Sequence, residues 1–136
     1  MVTVKNFVFC LSASNLAERQ DVTGLLSIMT PEYIPGLFTF SVYFTLLGLE
    51  EGEHEIQLQF KDNAGIIVAD TDVSALPYTM PESPIEIPKE YLGVNLAIML
   101  QNIDIKHSGL YTIDIILDGN ILESHDIFVK GKNEVK

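Results

Sequence analysis

The stretch from Gly109 to Val129 constrains the fold of this chain more than any other. Its first half alternates apolar and polar side chains, which is the period of a β-strand with one buried face. The apolar positions are Tyr111, Ile113, Ile115 and Leu117. Asp118-Gly119-Asn120 follows, and these residue types adopt the positive φ angles that a tight hairpin loop requires. The sequence therefore predicts a β-hairpin here.

Six further runs have the length and composition of β-strands. They are Phe7–Leu11, Val22–Met29, Leu37–Leu47, Glu53–Lys61, Ile66–Ala69 and Val94–Asn102. The Leu37–Leu47 run alternates most clearly, and it places Phe38, Phe40 and Phe44 on the predicted buried face. No run has the period of a helix of ten residues, and turn signals recur at intervals typical of antiparallel sandwiches. The sequence predicts an all-β, antiparallel two-sheet β-sandwich of about eight strands.

The chain length of 136 residues suits one hydrophobic core, so we interpret residues 1–136 as a single domain. Phe7–Leu11 is apolar on both faces, which is typical of a strand that is covered on both sides or changes sheets. Val22–Met29 reads as one strand in which Gly24 marks a bulge or a close backbone approach. The segment 15–20 is too short for an independent helix and is predicted to be a connection. The polar segment 131–136 is predicted to be a frayed tail.

Four of the six prolines lie between Asp70 and Lys89, at positions 77, 81, 84 and 88. Proline cannot donate a hydrogen bond to a central strand ladder, so this segment is predicted to be an extended loop or edge crossing between the sheets. Long irregular loops often carry function, which makes 70–88 a candidate ligand-binding segment as well.

The chain carries 19 acidic and 8 basic side chains, for a net charge of −11. Most of such a surface repels a nucleic-acid backbone and an anionic membrane, so neither partner is expected. The single cysteine, Cys10, lies in an apolar run and is predicted to be a core thiol, which suits a reducing cytoplasm. No run approaches the roughly 20 apolar residues of a membrane-spanning helix.

Several fold-defining positions carry a resemblance to known proteins. They are Phe7-Val8-Phe9-Cys10, Thr23-Gly24-Leu25-Leu26, Gly52-Glu53-His54, Asn95-Leu96, and Gly109-Leu110-Tyr111 leading into Leu117-Asp118-Gly119. In these positions the chain resembles a family of small uncharacterised bacterial proteins known mainly as domains of unknown function. The resemblance implies an immunoglobulin-like β-sandwich with an unassigned role, and it carries no site residues. The Gly109-x-Tyr111 pair also looks like the tyrosine-corner region of immunoglobulin-type domains, where a tyrosine hydroxyl bonds to nearby backbone.

The sequence has no recognisable catalytic or cofactor motif. His54, His107 and His125 are far apart and none has a partner at metal-ligand spacing, so we interpret them as solvated turn residues. The nearest approach to a cation site is Asp70-Thr71-Asp72, because alternate carboxylates on an extended segment share a face and calcium prefers oxygen ligands. No glycine-rich phosphate loop or nucleophile elbow is present. The sequence therefore predicts neither an enzyme nor a bound cofactor.

Apolar side chains at outward positions are a clearer indication of function than any of these motifs. Ile116, Met99 and Tyr43 occupy positions opposite to the predicted core residues of their strands. Such residues suit contact with a protein partner or with a second copy in a homodimer, and burial under loops is the ordinary alternative. The sequence thus favours a non-enzymatic interaction or structural module of a cytoplasmic bacterial protein, with a prophage origin as one option. The alternative is a calcium- or carbohydrate-binding sandwich that uses the 70–88 segment.

Overall fold

The structure is a computed structural model that describes residues 2–15, 20–82 and 85–134. Ten β-strands account for most of the described chain. They are β1 (Thr3–Asn15), β2 (Gln20–Leu26), β3 (Ile28–Met29), β4 (Gly36–Leu47), β5 (Gly52–Lys61), β6 (Ile67–Asp70), β7 (Ser74–Tyr78), β8 (Gly93–Ile105), β9 (Gly109–Leu117) and β10 (Asn120–Val129). Two short 3₁₀ turns, Lys89–Tyr91 and Lys132–Glu134, are the only helical elements of the described residues.

The strands form two sheets. The four-stranded sheet has the order β2-β1-β4-β8, and the six-stranded sheet has the order β3-β10-β9-β5-β6, with β7 pairing β5 beyond the end of β6. All pairs are antiparallel except β3 with β10. The predicted all-β, antiparallel two-sheet sandwich is confirmed, with ten strands where the sequence indicated about eight.

The C-terminal hairpin forms as its sequence predicts. Asp118 and Gly119 have φ angles of 51° and 81° and make the two-residue connection between β9 and β10. The Tyr111 hydroxyl donates a hydrogen bond of 2.7 Å to the backbone carbonyl of His107, which is the predicted tyrosine-corner interaction. Burial of the phenol raises the pKa of Tyr111, so this hydroxyl stays protonated and remains a donor.

The core lies between the sheets and combines aliphatic side chains with a set of aromatic rings. A path of rings crosses from one sheet to the other: Phe9 to Phe40 at 6.2 Å, Phe40 to Phe60 at 5.1 Å, and Phe60 to Tyr111 at 5.2 Å between centroids. Phe40, Phe60 and Tyr111 are fully buried. Burial of each such side chain stabilises the fold by about 1.5–3 kcal/mol, so this path is a principal contributor to stability.

The N-terminal third of the sandwich differs from the sequence interpretation. The predicted single strand Val22–Met29 is wrong, because the chain leaves the four-stranded sheet at Ser27 and enters the six-stranded sheet as β3. It is therefore this segment that changes sheets, whereas β1 stays within one sheet. The register of β1 with β2 continues unchanged past Gly24, so no bulge forms there. Gly24 has a φ of 69°, and a Cβ at this position would lie 2.8 Å from the Leu11 side chain.

Two other segments are more ordered than the sequence indicated. Part of the proline-rich segment forms the edge strand β7, with Pro77 in register opposite Glu53, and the chain then crosses to the four-stranded sheet as predicted. The prediction of a frayed tail is wrong for residues 131–134. The Asn133 side chain accepts a hydrogen bond from the Ile34 N–H and donates one to the Ile34 carbonyl, which docks this segment on the core. The predicted connection at 16–19 lies outside the described residues.

Candidate interaction surface

The outer face of the four-stranded sheet carries a group of neighbouring side chains without charge. Strand register defines two rows across the sheet, which we call the uncharged face. One row runs through Leu25, Cys10, Ser41 and Met99, and the next through Val8, Tyr43 and Ala97.

Strand alternation explains why these side chains point outward. On β4, Phe40 and Val42 are fully buried between the sheets, so Ser41 and Tyr43 project from the opposite face. Directly opposite residues of neighbouring strands share a face, and the outward direction of Ser41 therefore extends to Cys10 and beyond. The predicted outward positions of Tyr43 and Met99 are confirmed.

The first row of the uncharged face is exposed at its two ends and buried in the middle. Leu25 is 69% exposed and Met99 is 54% exposed, whereas Cys10 and Ser41 between them are 0% and 2% exposed. The Cys10 thiol contacts the Ser41 carbonyl at 3.4 Å. Cys10 is buried as predicted, but it lies on this outer face rather than in the core between the sheets. Burial raises the pKa of Cys10, so the thiol stays protonated and is a poor nucleophile.

Charged side chains border this face at its two ends. Lys5 lies in the next row on one side, level with Thr45 and Asn95. Asp21 and Asp104 lie beyond the opposite side. The cores of protein–protein interfaces are depleted in Lys, Glu and Asp and bordered by polar residues, and the uncharged face has this composition.

Ile116, the third predicted interface residue, is elsewhere. It lies half-buried on the outer face of the six-stranded sheet, in register with Ile121 of β10 and Gln57 of β5. The core separates it from Met99 and Tyr43, so the three residues do not form one surface. Sequence reasoning missed a row of exposed apolar residues on this second face. It comprises Ile28, Phe128 and Leu110. Phe128 and Leu110 pair between β10 and β9, and Ile28 joins them because β3 pairs with the edge of β10.

The calcium candidates have other hydrogen-bond partners. Asp70 accepts bonds from the Gln57 and Gln59 side chains and from the Asp72 N–H. The bond from Gln57 is the main reason that the pKa of Asp70 is lowered. No group of three or more His, Cys, Asp or Glu residues suited to a metal ion occurs in the part of the chain that the structure describes. Within the described ranges, Asp70 and Asp72 are therefore not part of a three-residue cluster of such side chains.

The three histidines occupy separate environments. His54 bonds to the Asp118 carboxylate at 2.8 Å and to the Glu50 carbonyl at 2.7 Å, and the bond to Asp118 raises the pKa of His54. His107 lies 3.3 Å from an Asp62 carboxylate oxygen. The interpretation of His125 as a solvated turn residue is wrong. Its ring stacks on Phe7 with centroids 4.0 Å apart, because β10 directs it toward the other sheet.

Comparison with known proteins assigns the chain to a family. A family model matches residues 5–130, which is nearly the whole described chain. The chain belongs to DUF6941, a family of unknown function. This assignment confirms the resemblance that the sequence indicated, and this member of the family folds as a two-sheet β-sandwich with the tyrosine-corner bond of immunoglobulin-type domains. No curated protein gives a significant match.

Two solved structures are similar to this DUF6941 domain. One is the alkylpurine DNA glycosylase AlkC of Pseudomonas fluorescens, solved with DNA containing an abasic site analog, with a TM-score of 0.54 and 8% identity. The match covers 95% of the DUF6941 chain and 30% of the glycosylase, so this chain spans under a third of that protein. The other is an immunoglobulin-like protein of Pseudomonas aeruginosa, with a TM-score of 0.46, 10% identity, and coverage of 96% and 97% of the two chains. At these identities the glycosylase likeness concerns the fold alone.

No helix among the described residues is long and apolar enough to cross a membrane. Three hydroxyl and thiol groups of the described chain have partners other than histidine. Ser108 bonds to Glu134, Ser124 bonds to Asp114, and the Cys10 thiol faces a carbonyl. Nucleophilic catalysis needs such a group beside a general base such as histidine.

Proposed function

We propose that this domain is a non-enzymatic interaction or structural module that self-associates through its four-stranded sheet. The observation that carries the proposal is the uncharged face, because two neighbouring rows of it carry no charged group and it exposes Met99 at the β8 edge of the sheet. Faces of this composition form the centres of protein–protein contacts.

The charge of the chain supports a second copy as the partner. Each copy carries a net charge of −11, so two copies repel each other wherever acidic surfaces meet. The uncharged face of the four-stranded sheet offers a contact surface that brings no charged side chain of its own two rows together. A twofold contact also requires a surface that is complementary to itself, and an uncharged apolar surface meets this requirement.

The proposal also includes a cellular location and the absence of DNA binding and catalysis. A free, buried Cys10 suits a reducing bacterial cytoplasm, and a prophage protein is one such setting. The DNA bound by the glycosylase is not extended to this chain, because a net charge of −11 opposes binding to phosphates. Absence of catalysis is supported by the partners of the described hydroxyl and thiol groups, none of which is a histidine.

Analytical ultracentrifugation over a wide concentration range tests this function. We expect a reversible monomer–dimer equilibrium, and we expect Met99→Lys to weaken it by about tenfold or more, since each 1.4 kcal/mol of lost contact is a factor of ten. Ile121→Lys is the matched control, because Ile121 is 60% exposed but lies on the six-stranded sheet. A wild-type protein that stays monomeric at every concentration refutes the proposal, as does a Met99→Lys variant that dimerises normally.

A further inference from the structure

The outer edge of β8 differs from every other sheet edge in the described chain. Residues 93–100 pair with β4 in eight consecutive register pairs, from Leu47 with Gly93 to Phe40 with Leu100. Their other side has no strand partner among the described residues. This stretch contains no charged residue and no proline. Long, regular and uncharged edges are those on which another strand pairs most readily.

The remaining edges carry features that oppose strand addition. β3 has two residues and β6 has four. β7 contains Pro77, and β2 contains Asp21. β10 is interrupted by a bulge between Ile121 and Glu123, and Glu123 adds an inward-directed acid. Short length, proline, bulges and inward charges are the usual devices against edge pairing, and residues 93–100 have none of them.

The side chains along β8 are also incompletely covered. The inward-facing residues of β8 are only half-buried, whereas the residues opposite them on β4 are fully buried. The half-buried residues are Val94, Leu96 and Ile98, and their partners are Leu46, Phe44 and Val42. The sandwich is therefore open along this side, and a strand added to β8 would remove further apolar surface from water.

The open edge has a defined upper limit. The register between β4 and β8 shifts between Phe38 and Phe40 of β4. On β8, Asn102 has a φ angle of 53°. These two irregularities end the regular edge of β8 after Leu100. β6 contacts β8, and Ile67 and Val68 of β6 line one cavity together with Asp104 near the end of β8. The pairing segment is thus confined to residues 93–100.

We infer that β8 of one copy pairs antiparallel with β8 of a second copy, which joins two four-stranded sheets into one eight-stranded sheet. This inference rests on the proposed self-association and defines its geometry. An uncharged strand suits a second identical strand across a twofold axis, because no like charges are brought together. Opposite residues must lie on the same face, so symmetric pairing is centred on Leu96 or on Ala97 and engages seven residues of each copy. It would form about six to eight backbone hydrogen bonds between the copies. Ala97 and Met99 then lie beside the joint.

Substitutions at two positions of the uncharged face distinguish edge pairing from face-to-face stacking of two copies. Met99 lies on β8, whereas Leu25 lies on β2, at the far edge of the same sheet. Edge pairing predicts that Met99→Lys weakens the dimer by about tenfold or more and that Leu25→Lys leaves its dissociation constant unchanged. Stacking of two uncharged faces predicts that both variants weaken it.

Hydrogen exchange of the unaltered protein provides the direct measurement. We expect amides within 93–100 to exchange more slowly at high than at low protein concentration, while amides of β2 and β10 do not change. Isotope-filtered NOEs in a mixture of labelled and unlabelled protein should connect β8 with β8. A dimer that is weakened by Leu25→Lys and shows no protection at 93–100 overturns edge pairing and leaves the proposed function standing. A monomer at every concentration overturns both.

Discussion

The ion pair between Lys61 and Asp114 provides a quantitative test of how the six-stranded sheet is stabilised. Asp114 is 4% exposed, yet it lies on the outer face of β9. One carboxylate oxygen is 2.7 Å from the Lys61 ammonium, and the other accepts a bond of 2.6 Å from the Ser124 hydroxyl. Replacing Lys61 with Met keeps the length of the side chain but leaves the Asp114 carboxylate without its counter-charge.

The size of the effect follows from this geometry. Two unit charges 2.7 Å apart attract by about 6 kcal/mol at an effective dielectric constant of 20, and desolvation of Asp114 offsets much of this. The Lys61 side chain is 28% exposed, so water compensates for part of its loss. We expect Lys61→Met to reduce the free energy of unfolding by about 2–3 kcal/mol at neutral pH. The double variant Lys61→Met/Asp114→Leu should recover most of that loss, because no unpaired charge remains buried.

The pH dependence supplies the sharper readout. Burial raises the pKa of Asp114, but the bonds from Lys61 and Ser124 outweigh burial, so the folded-state pKa lies below the ordinary value of 3.8. The stabilisation is therefore present above that value and is lost as pH falls through the folded-state pKa. Urea unfolding at a series of pH values should show the wild-type advantage over Lys61→Met shrinking in acid. An advantage that is absent at neutral pH, or that stays constant into acid, contradicts this account.

Two further predictions concern single contacts. Tyr111→Phe should lower the free energy of unfolding by about 1–2 kcal/mol in urea titrations, because the partly buried hydrogen bond to the His107 carbonyl is lost; an unchanged value would mean that water replaces the hydroxyl. Gly93→Ala should lower the free energy of unfolding by about 3 kcal/mol or more, because the added Cβ would lie 1.6 Å from the Leu46 carbonyl oxygen. Amides of β8 should then exchange faster with solvent. A variant with the stability and exchange of the wild type would show that the two strands can move apart without cost.

Local patterns predicted the parts of the fold that depend on local chemistry. Period-2 alternation identified the buried face of β4, and Asp118-Gly119 identified the hairpin connection, because both signals lie within a few residues. The departure of the chain from one sheet to the other at Ser27 had no such signal. It depends on the pairing of β3 with β10, whose residues Ile28 and Phe128 are 100 positions apart.

The candidate surface was predictable to the same extent. Met99 and Tyr43 follow from the alternation of their own strands, so their outward directions could be predicted singly. Strand order decides which other residues share their face. It places Leu25 and Cys10 on the same face and Ile116 on the opposite side of the sandwich. The exposure of the β8 edge also depends on strand order, and the sequence contributes only its lack of charge and proline.

The docking of the N-terminal third against the C-terminal end has a consequence for synthesis. Pairing of Ile28 with Phe128, and of Ile34 with the Asn133 side chain, cannot occur until nearly the whole chain has left the ribosome. Until then the apolar side chains of β3 and the following segment have no native cover, and Met29 and Ile34 are among them. Contacts of such long sequence separation slow folding and prolong exposure of apolar surface. We therefore expect this apolar surface of the nascent chain to need protection until residues 128–133 have left the ribosome.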